Sequence, residues 1–472
     1  YNQLLNNSNN QLEELIKILK KIKGTYAFAF LVSKKNSIFA ARKGSPLVLG
    51  LGDNFNSISS DVLGLPGNTK EIIFLEENDI AEITDSNIKI YNNRGKEVSR
   101  KKQKYINKNT FTTKDKYNHF MQKEIFYQPI SIEDTLLNFT DKKSSSILLP
   151  KSNVNLNKIS NLYFVACGTA YHACMIAKYW MDNFTSINSI IDIGSEYRYR
   201  KDFLNKDSIG IVISQSGETM DTLECLKKFK ENNLYTVSII NVINSSISRL
   251  SDYVLPTLAG PEIGVASTKA FTAQLSVLAL LTLHIQQKKD KNYNEIFASL
   301  FKLKKSLDKI LEDTKAIKSV ARSLKNAKSI FYVGRGVMYP LALEGALKLK
   351  EITYKHCEGY AAGELKHGPL ALIEKNIPVI VLAPYDKNFS KLLSNIQEIK
   401  ARDGKIIAIT DKVGQNKIKK YCDKIITLPE SNIITSPIIY SLPIQLIAYY
   451  LAVLLKKDID QPRNLAKSVT VE

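Results

Sequence analysis

The chain is poor in cysteine and histidine, which limits the kinds of site it can build. It has five cysteines and five histidines among 472 residues. The number of cysteines is odd and none belongs to a Cys-x-x-Cys pair; they are Cys167, Cys174, Cys225, Cys357 and Cys422. This pattern argues against a disulfide framework and structural zinc, so we expect a reduced, cytoplasmic protein without metal or cofactor.

Uncharged apolar runs are also scarce, and no signal peptide opens the sequence. Residues 432–455 carry no charge and are numerous enough for a membrane helix. Pro437, Pro443 and Gln445 interrupt this run. We therefore predict a helix buried in the core, and no membrane association.

Acidic residues are outnumbered by basic ones, 46 to 66, which gives a formal net charge of +20. Such a charge is compatible with a nucleic-acid partner. The lysines, however, are spread along the chain, without an arginine-rich stripe or interleaved aromatic and basic residues. We predict no nucleic-acid partner, and an anionic substrate would tolerate the charge.

The length of the chain predicts about three domains, because one hydrophobic core does not extend that far. Apolar strands alternate with amphipathic helices in two regions, as in doubly wound parallel sheets. The predicted regions are strands and hairpins at 1–105, a connecting segment at 106–153 with a helix near residues 117–127, alternating strands and helices at 154–292 and at 322–462, and a tail at 463–472.

The two alternating regions look like copies of each other. Residues 163–168 match residues 331–336, and a tyrosine follows each at the same offset. Three later pairs of strands also correspond: 209–213 with 378–382, 236–240 with 405–409, and 253–255 with 424–426. Ligands of such folds bind at the carboxyl ends of the strands.

Residues 214–219, Ser-Gln-Ser-Gly-Glu-Thr, follow one of these strands and precede a helix. Hydroxyls, an amide and backbone N–H groups at a helix N-terminus form an anion site, and phosphate is the obvious anion. The alternative is an ordinary helix cap, but a cap needs one hydroxyl and this segment has three. The loop at residues 167–170 is a candidate partner, in which Cys167 is interpreted as a small packing residue.

Three further candidates carry acid–base or nucleophilic groups. Glu344, Lys348 and Glu351 fall on one helix face, where the alternative is an exposed ladder of ion pairs. His367 lies in a glycine-bounded turn, as a proton carrier or a surface residue. Lys467, in the tail, is an amine nucleophile if the tail is ordered and a solvated residue if it is frayed.

The motifs at residues 214–219, 262–269, 343–351, 363–369 and 460–472 together resemble the glutamine–fructose-6-phosphate aminotransferase (isomerizing) family. The resemblance spans nearly the whole chain. It implies an α/β protein with two tandem doubly wound sugar-isomerase domains, at 154–292 and 322–462, and a catalytic tail at 463–472. A partial N-terminal-nucleophile (αββα) glutaminase domain at 1–105 and a linker at 106–153 would precede them.

The resemblance also implies an activity: synthesis of D-glucosamine 6-phosphate from fructose 6-phosphate, with glutamine as nitrogen donor, by a homodimer. Residues that would bind the sugar phosphate are Thr169, Ser214, Gln215, Ser216, Thr219 and Val265. Lys467 would form an imine with the C2 ketone, and Glu351 would move a proton between C1 and C2 with Lys348 beside it. His367, from the neighbouring subunit, would assist ring opening.

Two departures from the family pattern matter. Ala170 stands where the family usually has a serine. The family's glutaminase nucleophile is an N-terminal cysteine, whereas this sequence begins at Tyr1 and no cysteine precedes Cys167. A fragment and a decayed gene both fit that difference. Two rival functions are a phosphosugar aldose–ketose isomerase and a sugar-phosphate-sensing module, and the latter requires no catalytic lysine.

Overall fold

The computed structural model describes residues 11–32, 36–105, 113–141, 146–150, 154, 158–201, 204–286 and 291–469. The chain divides into two compact units, one built on residues up to 112 and the other on most of the remainder.

Among its described residues, the first unit contains one α-helix and two antiparallel four-stranded sheets. Leu15, Ile16 and Leu19 recur on one face of the helix, and this face packs with Tyr26 and Phe39 in one apolar cluster. One sheet has the order β1-β2-β6-β7 and the other β4-β3-β5-β8. The elements are α1 (Gln11–Lys21), β1 (Tyr26–Val32), β2 (Ser37–Lys43), β3 (Val48–Leu51), β4 (Asn56–Ser59), β5 (Glu71–Phe74), β6 (Ile80–Ile83), β7 (Ile88–Tyr91) and β8 (Lys102–Lys104).

The second unit begins with a long helix that the sequence prediction placed only in part. The prediction put a helix near residues 117–127, whereas α2 runs over Phe120–Asn138 and is followed by the short strands β9 (Thr140–Asp141) and β10 (Ser146–Ile147). Pro129 inside the helix obscured its continuity, because proline ordinarily ends a helix. The helix packs against the first repeat and is part of its core.

The first repeat is a five-stranded parallel sheet with the order β12-β11-β13-β14-β15. Its central strand β13 is buried at all seven positions, as expected for a parallel strand covered on both faces. The elements are β11 (Asn161–Ala166), α3 (Gly168–Phe184), β12 (Asn188–Ile193), α4 (Gly194–Tyr197), β13 (Ser208–Ser214), α5 (Met220–Glu231), β14 (Tyr235–Ile240), α6 (Ser246–Leu250), β15 (Tyr253–Pro256) and α7 (Lys269–Ile285).

The second repeat has the same topology, β17-β16-β18-β19-β20, which confirms the predicted pair of doubly wound sheets. Three helices lead into it: α8 (Lys291–Leu300), α9 (Leu303–Glu312) and α10 (Lys315–Ser323). Its elements are β16 (Ser329–Gly334), α11 (Met338–Thr353), β17 (His356–Ala361), two 3-10 helices (Ala362–His367 and Pro369–Leu372), β18 (Pro378–Ala383), α12 (Phe389–Lys400), β19 (Lys405–Asp411), α13 (Lys412–Ile418), β20 (Lys424–Leu428) and α14 (Ser436–Leu454).

Helix α14 is the uncharged run noted in the sequence. It is long and apolar enough to cross a membrane, but 83% of its apolar window is buried inside the protein. Pro437 occupies the first turn, where no intrahelical N–H is needed, and the helix continues past Pro443. It packs on α10 and α11, so it is the core helix that the sequence predicted.

Candidate functional site

The candidate phosphate loop leaves the carboxyl end of β13. Because Ile213 pairs with Ala166 of the parallel strand β11, the loops after these two strands emerge at the same edge of the sheet. Ser214 Oγ accepts a hydrogen bond from Gly217 N at 3.0 Å. Gly217 has φ +66°, and a Cβ there would lie 1.9 Å from Ser245 Oγ. The turn therefore requires glycine, and it leads into α5 with Gln215, Ser216 and Thr219 partly exposed.

The loop after β11 leads into α3, and side chains in the first turns of α3 contact the second repeat. Thr169 Oγ1 donates to Glu344 Oε1 of α11 at 3.1 Å, and His172 Nδ1 lies 2.7 Å from Glu344 Oε2. Glu344 is fully buried. Two side chains of the first repeat thus hold one carboxylate of the second.

The charged face of α11 is buried, which rules out an exposed ladder of ion pairs. Lys348 Nζ lies 2.6 Å from Glu351 Oε2 and 3.5 Å from Glu344 Oε1, and Lys348 is fully buried. Burial alone would lower the pKa of Lys348, but the adjacent Glu351 and Glu344 carboxylates outweigh burial and raise it. The Lys348 side chain is therefore an ammonium group between two carboxyl groups.

Lys467 is ordered, and its amine has two defined partners. Lys467 Nζ donates to Glu262 Oε2 at 2.6 Å and to the Gly264 carbonyl oxygen at 2.8 Å. The Glu262 side chain is fully buried, whereas a quarter of the Lys467 side chain is exposed. The frayed-tail interpretation does not describe this residue, because its amine donates two hydrogen bonds and its side chain is only partly exposed.

The Glu262 side chain reaches the N-terminus of α7 from the preceding loop, and backbone N–H groups at a helix N-terminus stabilise a carboxylate. Its Oε1 accepts from the backbone N–H groups of Thr268 and Ala270 at 2.9 and 3.1 Å. Burial by itself would raise the pKa of Glu262, but the Lys467 charge, the Lys467 hydrogen bond and these N–H donors outweigh burial and lower it. Glu262 is therefore ionised and gives Lys467 a fixed counter-charge.

The Lys467 pair and the α11 cluster are electrostatic neighbours. The Glu262 carboxylate is among the charges that raise the pKa of Lys348. Val265 follows Gly264, and its N–H donates to the Asp460 carbonyl oxygen, three residues before the tail, at 3.0 Å. Contacts through Glu344 thus connect Thr169, Lys348 and Glu351. Lys467 and Val265 lie beside Gly264, and Glu262 links them electrostatically to this group.

His367 stands apart from this group. It is the last residue of the 3-10 helix Ala362–His367 and is exposed. Gly368 follows with φ 132°, a conformation that favours glycine. In the part of the chain that the structure describes, His367 forms no hydrogen bond or ion pair with Lys467, Lys348, Glu351 or Glu344.

Sequence reasoning assigned no role to several residues that the structure places here. Glu262 was visible only as part of a motif, and Glu344 only as a member of a helix face. Lys269 was visible only as the last residue of the same motif. His172 and Glu124 gave no signal, because their partners are far away in the sequence. Lys269 is buried, and burial lowers the pKa of its ammonium although Glu262 and Glu124 oppose it. Among the described residues, no group of three or more His, Cys, Asp or Glu side chains could hold a metal ion.

Comparison with known proteins agrees with this geometry. The SIS domain family model matches residues 155–284 and 323–455, one match for each parallel sheet. The chain is 44% identical over 473 residues to a glutamine–fructose-6-phosphate aminotransferase (isomerizing) of Brucella abortus, covering 99% of this chain and 78% of that protein. A protein of the same name from Zymomonas mobilis is 44% identical over 461 residues, covering 97% of this chain and 76% of that one.

Solved structures give the same result. The C-terminal domain of glucosamine-fructose-6-phosphate aminotransferase from Francisella tularensis superposes with a TM-score of 0.71 at 39% identity, covering 74% of this chain and 100% of that one. The tagatose-6-phosphate ketose/aldose isomerase of Escherichia coli, at 17% identity and a TM-score of 0.62 over 74% of this chain and 97% of that one, shares the fold. The chain therefore belongs to the glutamine–fructose-6-phosphate aminotransferase (isomerizing) family and carries two SIS domains.

Proposed function

We propose that this protein makes D-glucosamine 6-phosphate from fructose 6-phosphate, with nitrogen drawn from glutamine. The observation that carries the proposal is the Lys467 amine, which is held by Glu262 and Gly264 at 2.6 and 2.8 Å and remains partly exposed. An amine nucleophile on an ordered tail is what imine chemistry at a ketone requires. A sensing module has no need of such an arrangement.

The phosphate of the sugar is assigned to the loop after β13. Ser214, Gln215, Ser216 and Thr219 supply hydroxyl and amide groups in the turn that precedes α5. Backbone N–H groups at a helix N-terminus favour an anion. Thr169 and Val265 would then line the sugar carbons between this loop and Lys467.

Lys467 is assigned as the imine-forming residue. Its ammonium must first lose a proton; the neutral amine then adds to C2, and the former carbonyl oxygen takes up a proton. Loss of water leaves the imine, and ammonia then adds to C2 and displaces the lysine amine. An imine withdraws electrons more strongly than a ketone, so it eases removal of the proton on C1.

Glu351 is assigned as the base that takes the C1 proton and returns a proton to C2. The oxygen on C1 loses its proton and becomes the aldehyde oxygen, while the C2 nitrogen becomes the amine. Over the whole sequence fructose 6-phosphate and ammonia give glucosamine 6-phosphate and water. Lys348, an ammonium 2.6 Å from Glu351, stabilises the negative charge that develops during this transfer.

His367 is assigned to ring opening in the site of a neighbouring subunit, which makes the functional form a homodimer. The exposure of His367 supports this assignment, because it leaves the imidazole accessible to a second copy of the chain. We also propose a cytoplasmic location. Within the chain, we assign residues 1–105 to a partial glutaminase domain, 106–153 to a linker, 154–292 and 322–462 to the isomerase domains and 463–472 to the catalytic tail.

The test is to assay the purified protein separately for formation of glucosamine 6-phosphate and for interconversion of fructose 6-phosphate and glucose 6-phosphate. Conversion of fructose 6-phosphate to glucosamine 6-phosphate with glutamine or an ammonium salt supports the proposal. Interconversion of fructose 6-phosphate and glucose 6-phosphate alone, with neither nitrogen source used by the full-length protein, supports the rival isomerase. Binding of the sugar phosphate without any turnover in a folded protein supports the sensing module.

A further inference from the structure

The first turn of α2 is hydrogen-bonded to Asp460, shortly before the tail that carries Lys467. His119, the residue before this helix, provides no side-chain cap. The backbone N–H groups of Phe120 and Met121 instead donate to the Asp460 carboxylate, each at 2.9 Å. A carboxylate at a helix N-terminus satisfies free donors and complements the helix dipole. The cap of α2 therefore comes from Asp460, three residues before the tail.

One turn further along α2, Glu124 contacts the loop that holds the Lys467 amine. Glu124 Oε1 accepts from Ile263 N at 2.5 Å and from Gly264 N at 3.2 Å. The carbonyl of that same Gly264 accepts from Lys467 Nζ at 2.8 Å. One glycine thus connects the Glu124 carboxyl group to the catalytic amine through its N–H and its C=O.

The second oxygen of Glu124 is packed closely and unsatisfied. Glu124 is 4% exposed, and within the described residues its Oε2 is a buried atom without a hydrogen-bond partner. A Cβ on Gly264 would lie 2.9 Å from this oxygen. A residue larger than glycine therefore fits at position 264 only if the Glu124 carboxyl group moves. An unpaired buried oxygen costs free energy, which points to a role besides stability.

We propose that Glu124 is a positioning residue for the amine chemistry of Lys467. It fixes the peptide between Ile263 and Gly264, so that the Gly264 carbonyl and Glu262 hold the Lys467 amine at the sugar. This inference rests on the proposed role of Lys467 and adds to it a residue from outside both isomerase repeats.

The electrostatic surroundings indicate which form of Glu124 acts. Burial and the neighbouring Glu262 carboxylate raise the pKa of Glu124 to about 8, while the Lys467 and Lys269 ammonium groups oppose the rise. At neutral pH the group is therefore largely the uncharged acid, whose oxygen still accepts from the two N–H groups. Glutamine has nearly the same shape as that acid and keeps an acceptor oxygen, so it is the conservative replacement.

The experiment compares Glu124→Ala and Glu124→Gln with Glu133→Ala. Glu133 lies on the same helix and pairs with Lys304 at 2.6 Å on a partly exposed face, so its variant controls for loss of a glutamate from α2. Each protein is given fructose 6-phosphate with an ammonium salt, and kcat and KM are measured. The rate at which borohydride attaches the sugar to Lys467 is followed by peptide mass.

We expect Glu124→Ala to lower kcat and the trapping rate together, by up to about 100-fold, since a small misplacement of a reacting group has that effect. KM should change little, because the phosphate loop is untouched. Glu124→Gln should recover most of the trapping rate, and Glu133→Ala should match the wild type. Wild-type trapping in Glu124→Ala overturns the proposal, as does an equal loss in Glu124→Gln, which would mean that the acid proton itself is used.

Two arrangements keep the outcome decisive. If Glu124→Ala fails to fold, Gly264→Ala replaces it, because the new Cβ displaces the Glu124 carboxyl group. A trapping rate equal to that of the wild type in Gly264→Ala overturns the proposal. A slower trapping rate with an unchanged KM supports it. If the wild-type protein itself forms no sugar adduct at Lys467, the proposed function fails rather than the role of Glu124.

Discussion

Lys467 Nζ and Glu262 Oε2 are 2.6 Å apart, although the two residues are separated by 205 positions in the chain. Glu262 is fully buried with its carboxylate at the N-terminus of α7, and Lys467 reaches it from the tail. The pair attaches the last residues of the chain to the first SIS domain. It also means that the resting amine is paired with a carboxylate and must lose a proton before it attacks a ketone.

The stability supplied by Glu262 should disappear in acid. Lys467 and the N–H groups at α7 hold the folded pKa of Glu262 below its ordinary value of 4.5. The folded state therefore binds fewer protons than the unfolded state near that value, so stability is present above it and lost as pH falls through the folded pKa. The gap in unfolding free energy between wild type and Glu262→Gln should narrow as pH falls below about 4.5. Urea unfolding at several pH values measures it, and a gap that is constant with pH contradicts the ion pair.

Glu124 should show the opposite dependence. Burial and Glu262 raise its pKa to about 8. The folded state then binds more protons than the unfolded state between about pH 4.5 and 8, so ionisation of Glu124 removes stability as pH rises through that window. Glu124→Gln cannot ionise and should gain stability over wild type across the window, by at most about 1.4 kcal/mol per pH unit. A difference that does not change between about pH 5 and 8 would show that Glu124 is ionised throughout.

Removing the buried lysine of α11 should destabilise the protein strongly. Lys348→Met leaves the fully buried Glu344 carboxylate without its ammonium partner, and we expect a loss of about 3–5 kcal/mol in unfolding free energy. Lys366 forms an exposed pair with Glu398 at 2.9 Å, so Lys366→Ala is the matched control, with an expected loss under about 1 kcal/mol. Similar losses in the two variants, measured by urea unfolding, would mean that the α11 cluster is not the buried network described above.

The loop after β13 should contribute to sugar-phosphate affinity. Ser216→Ala and Thr219→Ala each remove a hydroxyl that we assign to binding the phosphate, and a hydrogen bond to a charged group contributes about 1.5–3 kcal/mol. The dissociation constant of fructose 6-phosphate should rise accordingly, while the rate of the bound step stays near wild type. Ser394→Ala, at an exposed serine of α12, is the control. A fall in turnover at unchanged affinity would assign these hydroxyls to chemistry instead.

The fold was predictable because its signals are local. Apolar strands and the matching segments at residues 163–168 and 331–336 indicated two parallel sheets, and both have the same strand order. The helix α2 was predicted short, since Pro129 interrupts its pattern. Pro437 and Pro443 in α14 did not prevent the prediction of that helix, because the uncharged run around Pro443 is long and apolar.

The site was predictable only in part, because its contacts join distant residues. Lys348 and Glu351 share a helix face, so their spacing pointed to the ion pair that is seen. No spacing rule connects His172 to Glu344, 172 positions away, or Glu124 to Gly264. These pairs depend on how α2, α3 and α11 pack, which the sequence pattern does not specify.

The central claim is that Lys467 forms the imine with the sugar, and one measurement tests it directly. The protein is treated with borohydride in the presence of fructose 6-phosphate, digested, and examined by peptide mass, with Lys467→Ala and Lys366→Ala alongside. We expect a sugar adduct on Lys467 in the wild type and in Lys366→Ala, and none in Lys467→Ala. An adduct on a different lysine, with Lys467→Ala still labelled, would contradict it.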